Sequence, residues 1–580
     1  MRWRPFAATA LVLLAAAAPA RAAEPILPLG EVRPGMQCTG LTVVRGVDIA
    51  SFDVEIVDVV AGDPISDQPL LLVRVSGPIA APTGIAEGFS GSPVVCDGRV
   101  AGAIAYGTGD YGNELGFATP IEAVLGQLVY PPPDARRRPR LVRRARPLTP
   151  PLAVTGVSRP VFAPFARAAE RAGLPLVQAP AAPSDARFPV QELRPGSSMA
   201  VGLSSGDVGI SAIGTVSYVD GEKVWGFGHP LEAAGRRSLL LQDAYVYAVV
   251  DNPLGVEGAV SYKLAAPGHD LGTLTSDGRN AVAGVLGALP PRTRLRIAAR
   301  RGDRGPTRVT RADIADETAV GLPDGVSAAS FVAPMALAQT AYVTLDGSPS
   351  RQTAEMCVRI AIRELRKPAG FCNRYVGNYG STGGQAVGGP FVFDLYDALL
   401  AIDDFRYGTP HVTGIDVALR IAPRLDQALL RAVRGPRVLR PGATAVLRLD
   451  LQRYRGERFT RRVRLHVPRR ARPGQRRLVI DGTPADSDFG EVVFEVPGDE
   501  PMGGADGPTT FEQLARRIAS IRRFDGVTFR LAKPRARRGR PRPLLRDPDV
   551  RISGRASYRV RVAPARGRAA RGDDDARATR

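Results

Sequence analysis

Lysine is nearly missing from this chain: of its 78 basic residues only Lys223, Lys263, Lys367 and Lys533 are not arginine. The net charge of +21 and pI of about 10.5 would suit a nucleic-acid partner. Aromatic residues, however, make up only 6% of the sequence. The arginines crowd into 136–146 and the C-terminal tail, without the interleaved rings that single-strand binding needs. Nucleic acid is therefore not expected as a partner, the arginine bias reads as genome composition, and an anionic cell envelope is the electrostatic partner that remains. There are four cysteines and four histidines, with no C-x-x-C and no His beside a Cys, which argues against a zinc site. The acidic stretch 481–500 lacks the regular oxygen-ligand spacing of a calcium loop. No phosphate-binding glycine loop is present, and no cofactor or metal is expected. Beyond the N-terminus no apolar run is read as reaching the roughly 20 residues of a membrane span.

The N-terminus itself has a basic start, Met1-Arg2-Trp3-Arg4, an apolar run from Ala7 to Ala18 and a small-x-small cleavage site, Ala20-Arg21-Ala22. That pattern makes residues 1–22 a signal peptide and predicts a secreted or cell-surface protein. Four cysteines in an exported chain allow two disulfides in three pairings. Cys357 and Cys372 lie 15 apart, a span suited to a local bridge, which leaves Cys38 for Cys96.

At about 100 to 200 residues per domain, the length allows three or four domains. Short β-branched and apolar runs at 41–60 and 70–75, broken by Gly, Asp and Pro, read as strands, and the pattern continues to Ala123. Residues 23–129 therefore form one β-barrel half, and 130–151, rich in Pro and Arg, reads as an exposed linker. A second β-rich half spans 152–400. It begins with a short helix at 162–172 and includes the hairpin 214–219/222–227 around Asp220-Gly221. Strand signals follow at 245–250, 294–314 and 358–362. Residues 401–533 read as a small β-sandwich-like domain with strands at 415–421, 445–451 and 461–467. Thr509 and Glu512 have capping-box spacing, and Phe511, Leu514, Ile518 and Ile521 follow at helical spacing, so one helix closes this domain. Residues 534–580 read as a disordered basic tail.

The segment richest in chemistry is Gly88-Phe89-Ser90-Gly91-Ser92-Pro93-Val94-Val95-Cys96. A serine between glycines on a tight turn can present its hydroxyl in a cleft while the amides of Gly88 and Ser90 converge on one point. Two such donors make an oxyanion hole, and loss of one typically costs about 3 to 4 kcal/mol of barrier. Ser92 is the rival nucleophile, but only the amides of Gly88 and Ser90 have the spacing of an oxyanion pair. Among the histidines, His229 in Gly226-Phe227-Gly228-His229-Pro230 follows an apolar strand and a glycine, and an imidazole is the usual activator of a serine. His269 is the weaker candidate, and His411 and His466 read as structural.

The serine segment resembles the nucleophile segment of chymotrypsin-like peptidases, where the cysteine after the motif bridges to one near the start of the same barrel; Cys96 and Cys38 fit that place. A closer resemblance is to the sporulation factor IV B (SpoIVB) serine peptidase family. It rests on Phe52-Asp53-Val54-Glu55-Ile56 leading into Gly84-Ile85-Ala86-Glu87-Gly88-Phe89-Ser90-Gly91-Ser92-Pro93, and on Ile213-Gly214-Thr215-Val216 leading into Gly226-Phe227-Gly228-His229-Pro230. The resemblance implies Ser90 as nucleophile and His229 as base, in a mainly β, chymotrypsin-like double β-barrel. It also implies two departures. The Ser and His segments come in reversed order, which geometry-defined triads tolerate. The family's triad aspartate falls at Gly77, so the orienting acid is open among Asp243, Asp251 and Asp58. Phe89 and Gly84 stand where trypsin-like enzymes keep their zymogen and specificity aspartates, so neither feature is expected. The function implied is a serine endopeptidase acting on a peptide or protein substrate. The alternative is a catalytically silent peptidase fold that binds peptide or envelope.

Overall fold

In the computed structural model, residues 23–62, 68–109, 111–133, 135, 139–252, 261–321, 326–378, 389–483, 507–532 and 541–564 are described. The signal peptide, most of the acidic stretch at 481–500 and the last residues of the tail lie outside them. The chain divides into two compact units. The first gathers Met1–Pro150, Ala181–Gly202 and Ala212–Pro290; the second gathers Pro151–Pro180, Leu203–Ser211 and Pro291–Arg580.

The first unit is built on two rings of strands. Strands β1 (Gln37–Val43), β2 (Ile49–Val60), β3 (Leu70–Ser76), β4 (Pro93–Cys96), β5 (Arg99–Gly107) and β6 (Leu115–Pro120) pair in the order β4-β1-β2-β3-β6-β5, and a β4–β5 pairing closes the ring. The alternation of Phe52, Val54 and Ile56 along β2 puts one face into the barrel core, where they join Val73, Val75, Phe89 and Ile104. Cys38 on β1 is disulfide-bonded to Cys96 on β4.

The stretch expected as an exposed linker is in part ordered against this barrel. Arg146–Pro147 forms β7, which pairs with Tyr106 and Gly107 of β5, and Ala145 and Leu148 are buried. The reason is local: Leu148 fills the space that Gly107 leaves without a side chain, and its N–H donates to the Ala105 carbonyl. Apolar residues spaced among prolines and arginines carried too little periodicity to show this.

Strands β8 (Ser198–Gly206), β9 (Gly209–Asp220), β10 (Lys223–Gly226), β11 (Gly235–Val250), β12 (Tyr262–Asp277) and β13 (Val282–Leu286) form the second ring. They pair in the order β8-β11-β12-β13-β10-β9, and a β8–β9 pairing completes it. The fold is thus mainly β, with a chymotrypsin-like pair of barrels. The half expected over 152–400 is narrower than that span: its ring runs only from Ser198 to Leu286.

The second unit holds the rest. Arg292–Arg301 pairs with Thr307–Ala315 and, in parallel, with Val412–Ala422, which also pairs with Arg351–Ile362. Val412–Ala422, expected in the sandwich, therefore belongs to this sheet. Cys357 and Cys372 face each other across Arg351–Ile362 and Ala369–Asn378 and are disulfide-bonded. The helix expected at 162–172 runs from Arg159 to Arg171. The sequence reading missed two helices, Ala328–Leu345 and Pro390–Asp403, which pack in the core of this unit. Both are apolar on nearly all sides, so neither shows the amphipathic stripe that marks a surface helix. Ala328–Leu345 is long and apolar enough to cross a membrane by composition alone, but it is mostly buried in the protein.

The sandwich begins at Gln427. One sheet joins Arg458–His466, Thr444–Arg453, Gln427–Arg434 and Arg551–Ser553; the other joins Val438–Leu439, Arg555–Val562, Gly474–Asp481, Val527–Ala532 and Arg542–Leu545. Much of the stretch expected as a disordered tail is thus ordered, because Val550, Ile552, Val560 and Val562 alternate with polar residues and enter the sandwich core. The helix read at 509–521 is Phe511–Ala519, capped by Thr510 rather than Thr509, with Gln513 in place of Glu512. Leu514 and Ile518 join the helix-and-sheet core, not the sandwich.

The Cys38–Cys96 bridge closes a loop across a sequence separation of 58. On loop-closure entropy, Cys38→Ala/Cys96→Ala is expected to lower stability by about 2 to 4 kcal/mol, measured by denaturant unfolding.

Candidate active site

Ser90 sits on a turn between the barrels of the first unit, and the turn exists because Gly88 and Gly91 adopt φ of 86° and 91°. At Gly91 only glycine fits, since a Cβ would stand 1.9 Å from the Thr215 carbonyl oxygen and 2.5 Å from the Phe227 nitrogen. The turn is pinned on both sides. From the first barrel, Gly91 N–H donates to Ile104 O at 2.7 Å and Ile104 N–H to Ser92 O at 2.9 Å. From the second, Thr215 N–H donates to Ser90 O at 2.9 Å and the Thr215 hydroxyl to Gly88 O at 2.9 Å.

The amide hydrogens divide in an informative way. Phe89 N–H donates to Ala86 O and Ser92 N–H to Phe89 O. Among the described residues the N–H groups of Gly88 and Ser90 have no such partner, and these are the two expected to form an oxyanion hole. The hydroxyls of Ser90 and Ser92 are both buried and unpartnered, so burial does not separate the two candidates. The two differ in their amides, since that of Ser92 is engaged with Phe89 O.

His229 is brought to the same strand, β5. Its neighbour Gly228 packs on the carbonyl oxygens of Ala103 and Ile104, and Thr119 Oγ1 donates to Gly228 O at 2.6 Å. The ring lies 6.2 Å from Tyr106 and 6.0 Å from Phe227, centroid to centroid. Nδ1 stands 2.7 Å from the Pro230 carbonyl oxygen, an acceptor only, so Nδ1 carries the hydrogen. In the neutral ring the lone pair is then on Nε2, which is buried and has no hydrogen-bond partner. Burial pushes the imidazole below its ordinary pKa, partly offset by the Pro230 and Leu148 carbonyls and the Asp277 carboxylate. Ser90 and His229 have no solvent exposure, and no hydrogen bond joins Ser90 Oγ to His229 Nε2.

None of the three candidate acids reaches Nδ1 of His229. Asp243, fully buried, accepts from the amides of Gln191 and His269 and from His269 Nδ1 at 2.9 Å. It orients the other histidine. Asp58 is buried with its carboxylate on the amide of Val59, and Asp251 is exposed. Gly77, where the resemblance places the aspartate, has φ of 90°, and a Cβ there would meet the Asp53 carboxylate at 2.8 Å. An aspartate there would sit at a strained φ and would need the Asp53 carboxylate to move aside. His411 is paired with Glu364 in the second unit.

Two groups escaped the sequence reading. The buried Asp277 accepts from the amides of Leu231 at 2.7 Å, Glu232 at 2.8 Å and Ala234 at 3.2 Å, and so holds the loop that follows His229. Lys263, also buried, donates from Nζ to Thr42 Oγ1 at 2.8 Å and Thr215 Oγ1 at 2.9 Å and lies 5.3 Å from the Phe89 ring centroid. Burial pushes its ammonium down to about 7. An acidic residue 48 positions from the histidine and a lone lysine on a later strand give no motif; the only available signal was that an arginine-rich chain keeps so few lysines. Among the described residues no cluster of His, Cys, Asp or Glu is suited to a metal.

Asp277→Asn removes the one carboxylate that favours the imidazolium, so the pKa of His229 is expected to fall further below its ordinary value. NMR titration of the His229 ring signals measures this. No curated protein and no solved structure matches the chain. Residues 20–125, the segment that carries Ser90, match the family model Peptidase_S55, SpoIVB peptidase S55, which implies a serine peptidase and a peptide or protein substrate.

Proposed function

We propose that the protein is an exported serine endopeptidase in which Ser90 is the nucleophile, His229 the general base, and the N–H groups of Gly88 and Ser90 the oxyanion hole. The observation that carries this reading is the selective freedom of those two amides on a turn whose other amides are engaged. In the reaction Ser90 Oγ adds to the scissile carbonyl carbon while its proton passes to Nε2 of His229. The carbonyl oxygen takes up the electron pair and is received by the two amides. Collapse expels the amine, which takes the proton back from Nε2, and water then hydrolyses the acyl-enzyme by the same route in reverse order of groups. The Pro230 carbonyl does the orienting work usually given to a carboxylate by accepting from Nδ1, and Asp277 supplies negative charge toward the imidazolium. Absence of the acid in a triad costs up to about 10⁴-fold in rate without ending catalysis.

Export is supported by the signal-peptide pattern and by the two disulfides, which suit an oxidising compartment. A silent, peptide-binding fold is favoured by a different observation: Ser90 and His229 are fully buried and not bonded to each other. Hydrogen bonds of this kind often tighten only on substrate binding.

A fluorophosphonate probe is expected to modify the mature protein at one serine. Ser90→Ala should abolish labelling, Ser92→Ala should retain it, and His229→Ala should slow it by about 10²- to 10⁴-fold. No labelling of the folded wild type would favour the silent fold. Because burial lowers the pKa of His229 and the base must be neutral, labelling should be lost only as pH falls below the ordinary histidine value of about 6.5. A midpoint above that value would count against His229 as the base.

A further inference from the structure

The buried lysine beneath the serine turn has no part in the mechanism above, and its surroundings are specific. Its three ammonium hydrogens face three hydroxyls: Thr42 at 2.8 Å, Thr215 at 2.9 Å and Ser198 at 3.5 Å. Thr42 stands on the first barrel; Ser198, Thr215 and Lys263 stand on the second. The lysine stem runs directly under the turn, for a Cβ on Gly88 would lie 3.1 to 3.2 Å from its Cβ, Cγ and Cδ. Its backbone is tied there too, with Lys263 N–H on Glu87 O at 2.9 Å and Glu87 N–H on Ser261 O at 2.8 Å.

The direction of the hydrogen bonds gives this cluster its meaning. A carbonyl can only accept, so a Thr215 hydroxyl bonded to Gly88 O gives its hydrogen there and receives one from Nζ, whether the lysine is charged or neutral. The Gly88 carbonyl is thereby fixed, and with it the peptide unit that carries Phe89 N–H, which lies between the two units that carry the N–H groups of Gly88 and Ser90. Thr215 N–H fixes the Ser90 carbonyl from the same side. Burial of a cation is costly unless it is fully hydrogen-bonded, and an apolar residue of the same shape would avoid that cost. A polar head kept in this place therefore calls for a role other than packing.

We propose that Lys263, acting through the Thr215 hydroxyl, is a positioning residue that holds the Gly88–Ser90 turn in the orientation in which its two free amides can receive an oxyanion. This rests on the assignment of Ser90 as nucleophile. Lys263 touches neither substrate nor the reacting atoms; its effect is on the turn.

The test is the kinetics of fluorophosphonate modification of the full mature chain, resolved into the binding constant KI and the maximal rate kinact. The variants are Lys263→Met, Thr215→Val and Thr215→Ser, with the folded state followed by thermal unfolding. Lys263→Met is expected to lower kinact by about 10²-fold, the size of losing one oxyanion donor, with KI unchanged and thermal stability retained or raised. Thr215→Val should match it, the double variant should be no worse than either alone, and Thr215→Ser, which keeps the hydroxyl, should stay near wild type. Modification of both single variants at the wild-type rate overturns the proposal. So does loss of the folded state in both, or a rise in KI with kinact unchanged, since each describes a structural or binding role. A wild type that is not modified at all overturns the assignment of Ser90 itself, and this inference with it, and is distinguished by that result from the other outcomes.

Discussion

A cation without water must be surrounded by oxygen, and that requirement organises the seam between the two barrels. Lys263 satisfies it with hydroxyls from both: Thr42 on one side, Ser198 and Thr215 on the other. Around this polar centre the contacts become close-packed and permit no side chain where a glycine stands. Gly91 lies against Thr215 and Phe227, and Gly228 against Ala103 and Ile104. The serine turn and the histidine turn are thus each held by contacts from both barrels.

The charge around the histidine follows from similar constraints. A carboxylate bonded to Nδ1 would raise its affinity for a proton; a backbone carbonyl does so less, and burial works the other way. The two buried aspartates nearest in sequence are already committed, Asp243 to His269 and Asp277 to three loop amides. In this chain a peptide carbonyl orients the ring, and a carboxylate that is not bonded to it supplies the field.

The sequence made one kind of feature readable and hid another. Strands such as Ile49–Val60 declare themselves by alternating burial, the glycine-framed Ser90 and His229 by turn chemistry, and the two disulfides by spacing and elimination. Helices that are apolar and mostly buried, Ala328–Leu345 and Pro390–Asp403, carry little stripe to detect. The late strands of the sandwich are masked by arginine, whose charge looks like disorder while the alternate Val and Ile positions build a core. The candidate acids were misplaced for a different reason. Which carboxylate meets which ring depends on registers such as the bulges between Leu241 and Ala244. No local rule supplies those, and neither Lys263 nor Asp277 lies near a motif.

The reversed order of the barrels has a consequence in time. Protein synthesis proceeds from the N-terminus, and domains emerging first fold first. The ring that bears Ser90 is complete at Pro120, but His229, Thr215 and Lys263 arrive only with the ring that ends at Leu286. In between, the chain also passes into the other unit and back. For more than a hundred residues of growth the nascent barrel therefore carries the Ser90 turn without the Thr215 contacts that help to hold it and without the His229 ring, so on the proposed reading no serine could be activated before the chain is nearly half made.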